Sequence, residues 1–436
     1  MQLAKAIVRG ALGLAARVYF RRIEVVGAPS REVRGRLFAA NHVNGVVDPV
    51  VIATVTACDL SPVAKSTLWR TPGLSLLLDV ADAVPVVRKR DDPSAGREAN
   101  DDAFARVGAH LAGGGNLLIF PEGTSHSEPH VLALKTGAGR MLARAIDAGG
   151  RDLTFQAVGL EWEDRGTFRS RALVWFGPVR RVDELGAACD ELPAEITRVL
   201  SRDLSSLVVE GATWPERVLV GRVAELLAND AADAAGTLAE WSALGRRVGA
   251  AGRALDDGEA RAHVESSVGA YYELLAQAGL SDDRVVSGAR PAGAPRRAWL
   301  WATLPLALCA AVLYYPPYQL PRLSERLAGS ERDVVSTYKI ALGLLVFPAW
   351  AALLVVACEL LLPRPLAHAA AIVALACPVA ALPWLDRLDR TRRATRRRLG
   401  AAGPPPSPRA LREAREAAIA AIERAREALL ERGVTP

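Results

Sequence analysis

The sequence predicts an α/β domain with a mixed sheet flanked by helices, followed by a helical region and by C-terminal membrane helices. Between residues 22 and 180, short apolar runs alternate with helical patterns, which is typical of an α/β domain. The segment 181–290 is Ala-rich, charged and helical in pattern. Three apolar stretches follow residue 296, and each is long enough to cross about 30 Å of hydrocarbon as a helix.

Length and composition agree with this organisation. The 436 residues suggest two or three folding units, and a content of 50% hydrophobic and 23% charged residues excludes a disordered chain. Mean hydropathy is +0.14, whereas a soluble enzyme usually lies below zero, so part of the apolar content is expected to face lipid. The net charge of +6 (54 − 48) identifies no partner, because basic charge serves nucleic acid, anionic lipid and phosphorylated substrates alike.

Cysteine use indicates a reducing environment. The chain has five cysteines with irregular spacing and no CxxC pair. This pattern predicts neither a disulfide framework nor a zinc site, so no metal is expected and the cytosolic side fits best.

Residues 1–20 predict an amphipathic helix that lies on a membrane surface. Arg9 and Arg17 interrupt the apolar run and no cleavage site follows, which disfavours a signal peptide. The apolar residues that share one helical face are Leu3, Ile7, Leu14 and Val18. The alternative interpretation is an ordinary packing helix.

Residues 21–180 are predicted to form the α/β domain. The predicted strands are Ile23–Val26, Arg36–Ala40, Ala83–Val87, Asn116–Phe120, Leu153–Leu160 and Ala172–Phe176. The helical patterns between them include Arg97–Leu111 and Leu132–Ile146. The segment 181–290 is a helical extension without a recognisable chemical motif.

Residues 296–386 form a predicted membrane region with two or three apolar helices. Its apolar stretches are Ala298–Tyr315, Ile340–Cys358 and Pro365–Leu385. Positive charge precedes and follows this region, which places both ends in the cytosol and requires an even number of crossings. We therefore expect the second and third stretches to cross, and the first to be re-entrant or interfacial.

Residues 387–436 comprise a basic juxtamembrane segment, a Pro-rich linker and a tail helix. Seven arginines against two aspartates in 386–398 are explained by membrane topology, so no nucleic-acid partner is predicted. The linker is Gly403–Pro408. Apolar residues recur at helical spacing in 409–432, which predicts a solvated tail helix, with a coiled-coil partner as the alternative.

The first chemical motif follows a predicted strand and reads Asn41-His42-Val43-Asn44-Gly45-Val46-Val47-Asp48. A histidine at a strand end can act as a general base near neutral pH. Asp48 could reach the other ring nitrogen if the chain turns at Gly45, and would then fix the tautomer of His42. The nucleophile would be a hydroxyl of the substrate. The alternative is a His–Asp pair with a purely structural hydrogen bond.

Two further motifs lie at predicted strand ends. Phe120–Ser125 offers Gly123, which lets the backbone approach a substrate, and Glu122, which can accept hydrogen bonds from a polyol; its alternative is a simple turn. Val84–Arg90 ends in three cations that could hold a phosphate, or could be solvated surface charge. Lys65 and Lys135 are additional phosphate candidates.

Together these motifs resemble the lysophospholipid/glycerol-3-phosphate acyltransferase superfamily, whose hallmark is NHxxxxD followed by FPEGT. Asn41–Asp48 and Phe120–Ser125 match in order and spacing, and Ala83–Arg88 fits an intermediate block. The details closest to the fungal-type glycerol-3-phosphate/dihydroxyacetone-phosphate acyltransferase subgroup are Val84–Arg88, Ser125, Leu134–Gly137, Phe168–Arg171, Tyr271–Leu275 and Ser281–Asp283. The strong resemblance covers about residues 20–180.

The resemblance implies a glycerolipid acyltransferase fold, with residues 21–180 as the catalytic domain. It implies transfer of a fatty acyl group from acyl-CoA or acyl carrier protein to a hydroxyl of glycerol-3-phosphate, without a cofactor. The protein would then be an integral membrane protein, with its catalytic domain on the cytosolic face of a bacterial inner membrane.

The resemblance also implies roles for seven residues. His42 would take the hydroxyl proton and Asp48 would orient it. Arg88, with Lys65, would hold the phosphate. The residues implied to bind and position the glycerol backbone are Glu122, Gly123 and Thr124.

Three alternatives remain open at the level of the sequence. The acceptor could be 1-acyl-glycerol-3-phosphate (lysophosphatidic acid) or dihydroxyacetone phosphate, since both share the phosphate chemistry. The chain could be a non-catalytic lipid-binding membrane protein, against which the intact His42 and Asp48 argue. A serine hydrolase is disfavoured because no G-x-S-x-G elbow is found.

Overall fold

The computed structural model describes most of the chain, and the chain forms two compact units. The described residues are 2–70, 74–86, 97–186, 188, 190–230, 236–255, 258–287, 294–327, 333–399 and 405–433. The first unit comprises Met1–Trp214 and Arg332–Thr337. The second comprises Pro215–Glu331 and Tyr338–Pro436.

The first unit is built on a seven-stranded sheet with the order β1-β7-β6-β2-β5-β3-β4. The strands are β1 (Arg22–Val26), β2 (Arg36–Ala40), β3 (Ser61–Lys65), β4 (Val84–Val86), β5 (Leu117–Ile119), β6 (Thr154–Trp162) and β7 (Arg171–Arg181). Only the β6–β7 pair is antiparallel among these strands, so the sheet is mixed. This confirms the predicted fold class.

Strand β3 is absent from the prediction and occupies an inner position between β5 and β4. Its sequence, SPVAK, contains a proline and a single β-branched residue, so it lacks the pattern that identifies a strand. Pro62 pairs with Leu118 of β5, and Lys65 ends the strand opposite Val86. The missed strand therefore brings Lys65 to the same sheet edge as the other motifs.

Helices flank this sheet. They are α1 (Gln2–Tyr19), α2 (Val47–Val55), α3 (Leu74–Val80), α4 (Arg97–Ala112), α5 (Gly137–Asp147) and α6 (Leu192–Ser205). Helix α5 begins five residues later than Leu132, because the preceding loop is held by a hydrogen bond from the Lys135 N–H to the Pro121 carbonyl (2.8 Å). The unit extends beyond residue 180, since Ile196 and Leu200 of α6 are buried in the sheet's hydrophobic core.

The second unit is helical. Its helices are α7 (Trp214–Asp230), α8 (Leu238–Ala254), α9 (Gly258–Ala278), α10 (Asp282–Ser287), α11 (Ala294–Leu313), α12 (Tyr315–Leu327), α13 (Val335–Leu361, whose first turn belongs to the first unit), α14 (Arg364–Leu399) and α15 (Pro408–Glu431). Within 181–290, β7 ends at Arg181, and the described α-helices are α6, α7, α8, α9 and α10.

Two of these helices are long and apolar enough to cross a membrane. They are Val335–Leu361 and the Arg364–Asp386 portion of α14, and they coincide with the second and third predicted apolar stretches. The first stretch forms a shorter apolar helix, Trp301–Leu313, which packs on α14. The Tyr314 hydroxyl donates to the Ala374 carbonyl (3.0 Å) across this contact. Membrane crossing itself stays a prediction.

The C-terminal helix α15 is packed rather than solvated. Its inward face carries Leu411, Ala418 and Ile422, which are buried against Tyr271 of α9. A solvated and a packed amphipathic helix have the same apolar spacing, so the sequence pattern could not distinguish them.

A buried carboxylate fastens α15 to its neighbours. Asp282 accepts hydrogen bonds from the Tyr271 hydroxyl (2.6 Å), Arg415 Nε (2.9 Å) and Asn229 Nδ2 (2.9 Å). Burial, with the adjacent Asp282 carboxylate, raises the pKa of Tyr271. A buried carboxylate needs such donors because its loss of solvation is costly.

The Arg415→Ala variant should destabilise the second unit. Asp282 would keep two donors but lose its charged partner, at an expected cost of about 3–5 kcal/mol in unfolding free energy. The measurement is thermal unfolding, with protease cleavage in α15 as a local readout. Arg409→Ala is the matched control, since Arg409 pairs with Glu413 at an exposed position and should have no measurable effect. Equal melting temperatures for the two variants would contradict the role given to Asp282.

Candidate active site

The sequence motifs lie at the carboxyl ends of the parallel strands, on one side of the sheet. Strands β2, β5, β3 and β4 run parallel, so their carboxyl ends share that side, where α/β sheets place ligands. His42 lies just beyond β2, Glu122 just beyond β5, and Lys65 at the end of β3. Arg88 lies outside the described residues, although it follows Val86, whose strand partner is Lys65.

His42 and Asp48 form the predicted pair. The distance from His42 Nδ1 to Asp48 Oδ2 is 2.9 Å. Asp48 lies in the first turn of α2, and Gly45 provides the turn with a φ of +53°, a conformation that favours glycine. An ionised carboxylate only accepts, so Nδ1 carries the proton of the neutral imidazole and Nε2 is left as the basic nitrogen.

The Asp48 carboxylate is fully buried and serves as an anchor for the whole loop. Its Oδ2 also accepts the backbone N–H groups of Val43 (2.9 Å) and Asn44 (2.8 Å). Burial raises the pKa of Asp48 above its ordinary value of 3.8, while the hydrogen bonds from His42 and these two N–H groups act in the opposite direction. Among the described residues, Asp48 Oδ1 has no hydrogen-bond partner.

Glu122 ties the second motif to the first. Its Oε2 accepts the His42 backbone N–H (3.0 Å) and lies 2.8 Å from His126 Nε2. The backbone N–H of His126 donates to the backbone carbonyl of His42 (3.1 Å). The Phe120 ring stacks on the His42 imidazole at 4.1 Å between centroids. One oxygen of Glu122 is therefore engaged in positioning His42, and the predicted contact with a glycerol backbone stays a prediction.

Gly123 and Thr124 lie on the exposed side of the same loop. Gly123 has a φ of +77°, and a Cβ added there would lie 2.5 Å from the ammonium nitrogen of Lys135. The Thr124 side chain is exposed, and its hydroxyl donates to the Ser125 carbonyl (3.2 Å). Lys65 is half-buried at its strand end. Lys135 thus lies beside Gly123, and Lys65 ends a strand on the side of the sheet where the motif loops begin.

Three structurally important residues have no role in the sequence-based prediction. The Asn41 side chain forms two hydrogen bonds with the backbone of Leu160: Nδ2 donates to the Leu160 carbonyl (3.1 Å), and Oδ1 accepts the Leu160 N–H (2.7 Å). His126 pairs with Glu122, four residues before it, and Arg165 reaches the site from the β6–β7 connection. A histidine just after FPEGT was a usable signal for His126, whereas no local pattern singles out Arg165.

Among the residues that the structure describes, no group of three or more His, Cys, Asp or Glu side chains is arranged so that it could hold a metal ion. The described side chains instead provide a basic nitrogen, His42 Nε2, and two lysines, Lys65 at the end of β3 and Lys135 beside Gly123. This arrangement can remove a proton from a hydroxyl that is held close to an anionic group.

The Asp48→Asn variant should show how burial of this carboxyl group makes the stability of the wild type depend on pH. The pKa of Asp48 is higher in the folded chain than in the unfolded chain, so the contribution of Asp48 to unfolding free energy is present below 3.8 and is lost as pH rises through the raised pKa. Asn has the same shape and no titration. We therefore expect the melting temperature of the wild type, relative to the variant, to decline as pH rises. A relative melting temperature that climbs with pH would contradict this sign.

Comparisons with known proteins find sequence similarity in the first part of the chain. Residues 22–160 match the family model Acyltransferase. Glycerol-3-phosphate O-acyltransferase 2 of Saccharomyces cerevisiae is 33% identical over 136 residues, which is 29% of this chain and 18% of the yeast protein. The chain thus matches less than a fifth of that relative's length.

A solved structure is also similar. The crystal structure of the 1-acyl-sn-glycerophosphate (LPA) acyltransferase PlsC from Thermotoga maritima covers 46% of this chain and 80% of its own, with 17% identity and a TM-score of 0.33. The family match spans the strands and loops that carry His42, Asp48 and Glu122. Over residues 22–160, this chain is therefore similar to the Acyltransferase family.

Proposed function

We propose that this protein is a membrane-bound acyltransferase that moves a fatty acyl group from a thioester to a hydroxyl of glycerol-3-phosphate. The observation that carries the proposal is the His42–Asp48 pair, at 2.9 Å, held beside the Phe-Pro-Glu-Gly turn by Glu122. A base whose tautomer is fixed by a buried carboxylate is suited to activating an alcohol.

The reaction begins with proton removal. His42 Nε2 takes the proton of the acceptor hydroxyl while the hydroxyl oxygen attacks the thioester carbonyl carbon. The tetrahedral intermediate then collapses, the C–S bond breaks, and the imidazolium returns the proton to the departing thiolate. An ester and a free thiol result, and no acyl-enzyme forms. Backbone N–H groups near Gly45 or Gly123 are candidates for stabilising the oxyanion.

Asp48 and Glu122 act on His42 from two sides. Asp48 holds the ring through Nδ1 and stabilises the imidazolium that forms during proton transfer. Glu122 holds the backbone of His42 through its N–H. Rotation of the ring and displacement of the loop are thereby restricted by separate hydrogen bonds, so Nε2 keeps one direction towards the substrate.

Cations at the sheet edge are proposed to bind the acceptor phosphate. Lys65 and Arg88 follow neighbouring strands, and Lys135 contributes an ammonium group beside Gly123. Arginine can bind a phosphate through two hydrogen bonds and lysine through its charge. Gly123 and Thr124, with the remaining oxygen of Glu122, would contact the glycerol backbone.

Glycerol-3-phosphate is the first-choice acceptor because the yeast relative carries that substrate in its name. Lysophosphatidic acid is the alternative, since it presents the same phosphate and a free hydroxyl. The acyl donor is proposed to be acyl-CoA or acyl carrier protein, whose thioester supplies the electrophile.

The helices of the chain support a membrane location. Helices α13 and α14 have the length and composition of membrane spans. On α1, the side chains of Ile7, Leu14 and Val18 are exposed at helical spacing, as an interfacial helix requires. Attachment to a membrane places the enzyme where its acyl product partitions. The cytosolic face of a bacterial inner membrane is the proposed site.

Replacing the base should abolish acyl transfer. We expect His42→Ala to lower kcat by about 10²–10⁴-fold, the range typical of general base catalysis, while membrane association is retained. The measurement is radiolabelled acyl-CoA transfer with purified membranes. His130→Ala is the matched control, since His130 is exposed in the neighbouring loop. Activity that survives in His42→Ala would reject the general-base role.

An acceptor panel should identify the substrate. Labelled product should appear with glycerol-3-phosphate, because the proposed cations recognise its phosphate and His42 its hydroxyl. Lysophosphatidic acid and dihydroxyacetone phosphate are tested in parallel under the same conditions. Label that appears only with lysophosphatidic acid would replace the first-choice acceptor by the alternative.

A further inference from the structure

Arg165 joins the two motif loops of the first unit. It lies in the connection between β6 and β7, and it is half-buried. Its Nη1 donates to the carbonyl of Val43, in the His42 loop, and to the carbonyl of His126 (3.2 Å), in the Glu122 loop. Its Nη2 donates to the Ser127 hydroxyl oxygen (2.7 Å). A planar guanidinium can serve three such acceptors at once, which an ammonium group cannot match in geometry.

One of these contacts acts on the catalytic pair through a single peptide unit. The Val43 carbonyl and the Asn44 N–H belong to the same rigid, planar peptide. Arg165 holds the oxygen of this peptide, and Asp48 accepts its N–H at 2.8 Å. The guanidinium also polarises the peptide, which strengthens the N–H as a donor to a carboxylate. Through this peptide, Arg165 therefore acts on the carboxylate that orients His42.

The backbone of Arg165 is itself fixed. The hydroxyl of Ser336, which is fully buried in the first turn of α13, donates to the Arg165 carbonyl. The same short segment covers Gly45: a Cβ there would lie 3.1 Å from the Asp333 carbonyl oxygen and 3.1 Å from Thr337 Oγ1. On the other side, the Tyr19 hydroxyl donates to the carbonyl of Gly166 (3.1 Å). Arg165 and the adjacent Gly166 are thus held by two distant parts of the sequence, α13 and α1.

We propose that Arg165 is a positioning residue for acyl transfer: it holds the His42 loop and the Glu122 loop in one arrangement, supported by Ser336. This inference rests on the proposed function for its catalytic consequence. The Glu122 and His126 hydrogen bonds to His42 do not involve Arg165, so the fold should survive its removal, while the Val43–Asn44 peptide that donates to Asp48 loses a restraint and His42 is held less firmly.

The test compares Arg165→Ala, Arg165→Lys and the wild type in the full-length membrane-bound protein. Because a small misplacement of a base can cost about 10²-fold in rate, Arg165→Ala should lower kcat by about that factor, with KM for glycerol-3-phosphate changed less than about threefold. Arg165→Lys keeps the charge but cannot reach all three acceptors, so its kcat should lie between the two. Arg198→Ala is the control, since Arg198 pairs with Glu195 on the outside of α6.

A second readout is independent of activity. Hydrogen–deuterium exchange in peptides covering 42–48 and 122–128 should be faster in Arg165→Ala than in the wild type or in Arg198→Ala. Unchanged exchange in both peptides, or a kcat within twofold of wild type, would overturn the inference. If Arg165→Ala fails to fold, wild-type kinetics in Arg165→Lys would overturn it. A wild type without acyl transfer to any acceptor, but with faster exchange in Arg165→Ala, would reject the proposed function and keep the positioning role.

Discussion

The candidate site depends on one buried carboxylate. Asp48 is withdrawn from solvent, and its Oδ2 gathers the His42 imidazole and two backbone N–H groups at 2.8–2.9 Å. Burial alone would favour the neutral acid, so these donors are needed to keep a charge there. The same hydrogen bonds also serve the loop, because they hold the turn around Gly45 and fix the orientation of the His42 imidazole.

A second carboxylate extends the same principle to the other motif. Glu122 uses one oxygen to hold the His42 backbone and to meet His126, and Arg165 binds carbonyls on both loops. Residues that a motif comparison assigns to substrate are thus also parts of a polar network that positions the base. The helical unit solves a similar problem at Asp282, where donors from α7, α9 and α15 meet one buried carboxylate. In both units, a costly buried charge specifies one arrangement of several chain segments.

Much of the fold followed from local patterns, and so did part of the site. Six strands, the mixed sheet class and the two long apolar helices were predictable because side-chain period and apolar length are local properties. Strand β3 was not predicted because Pro62 interrupts the pattern that identifies a strand. In the structure, β3 nevertheless pairs with β4 and β5. The sequence predicted α15 as a helix but not its packing, because amphipathic spacing does not show which surface the apolar face of a helix contacts.

The contact between His42 and Asp48 was within reach of the sequence, since six residues and a glycine allow only a tight turn and a helix start between them. The links that complete the site were not. Arg165 meets Val43 across 122 positions, and Glu122 meets the His42 backbone across 80. Such contacts exist because the sheet order makes β2, β5 and β6 neighbours. The sequence by itself therefore determined the histidine proposed as the base, its carboxylate partner and the helices suited to a membrane. Only the tertiary structure decided which distant side chains hold them, because strand order, rather than any local pattern, sets which loops meet.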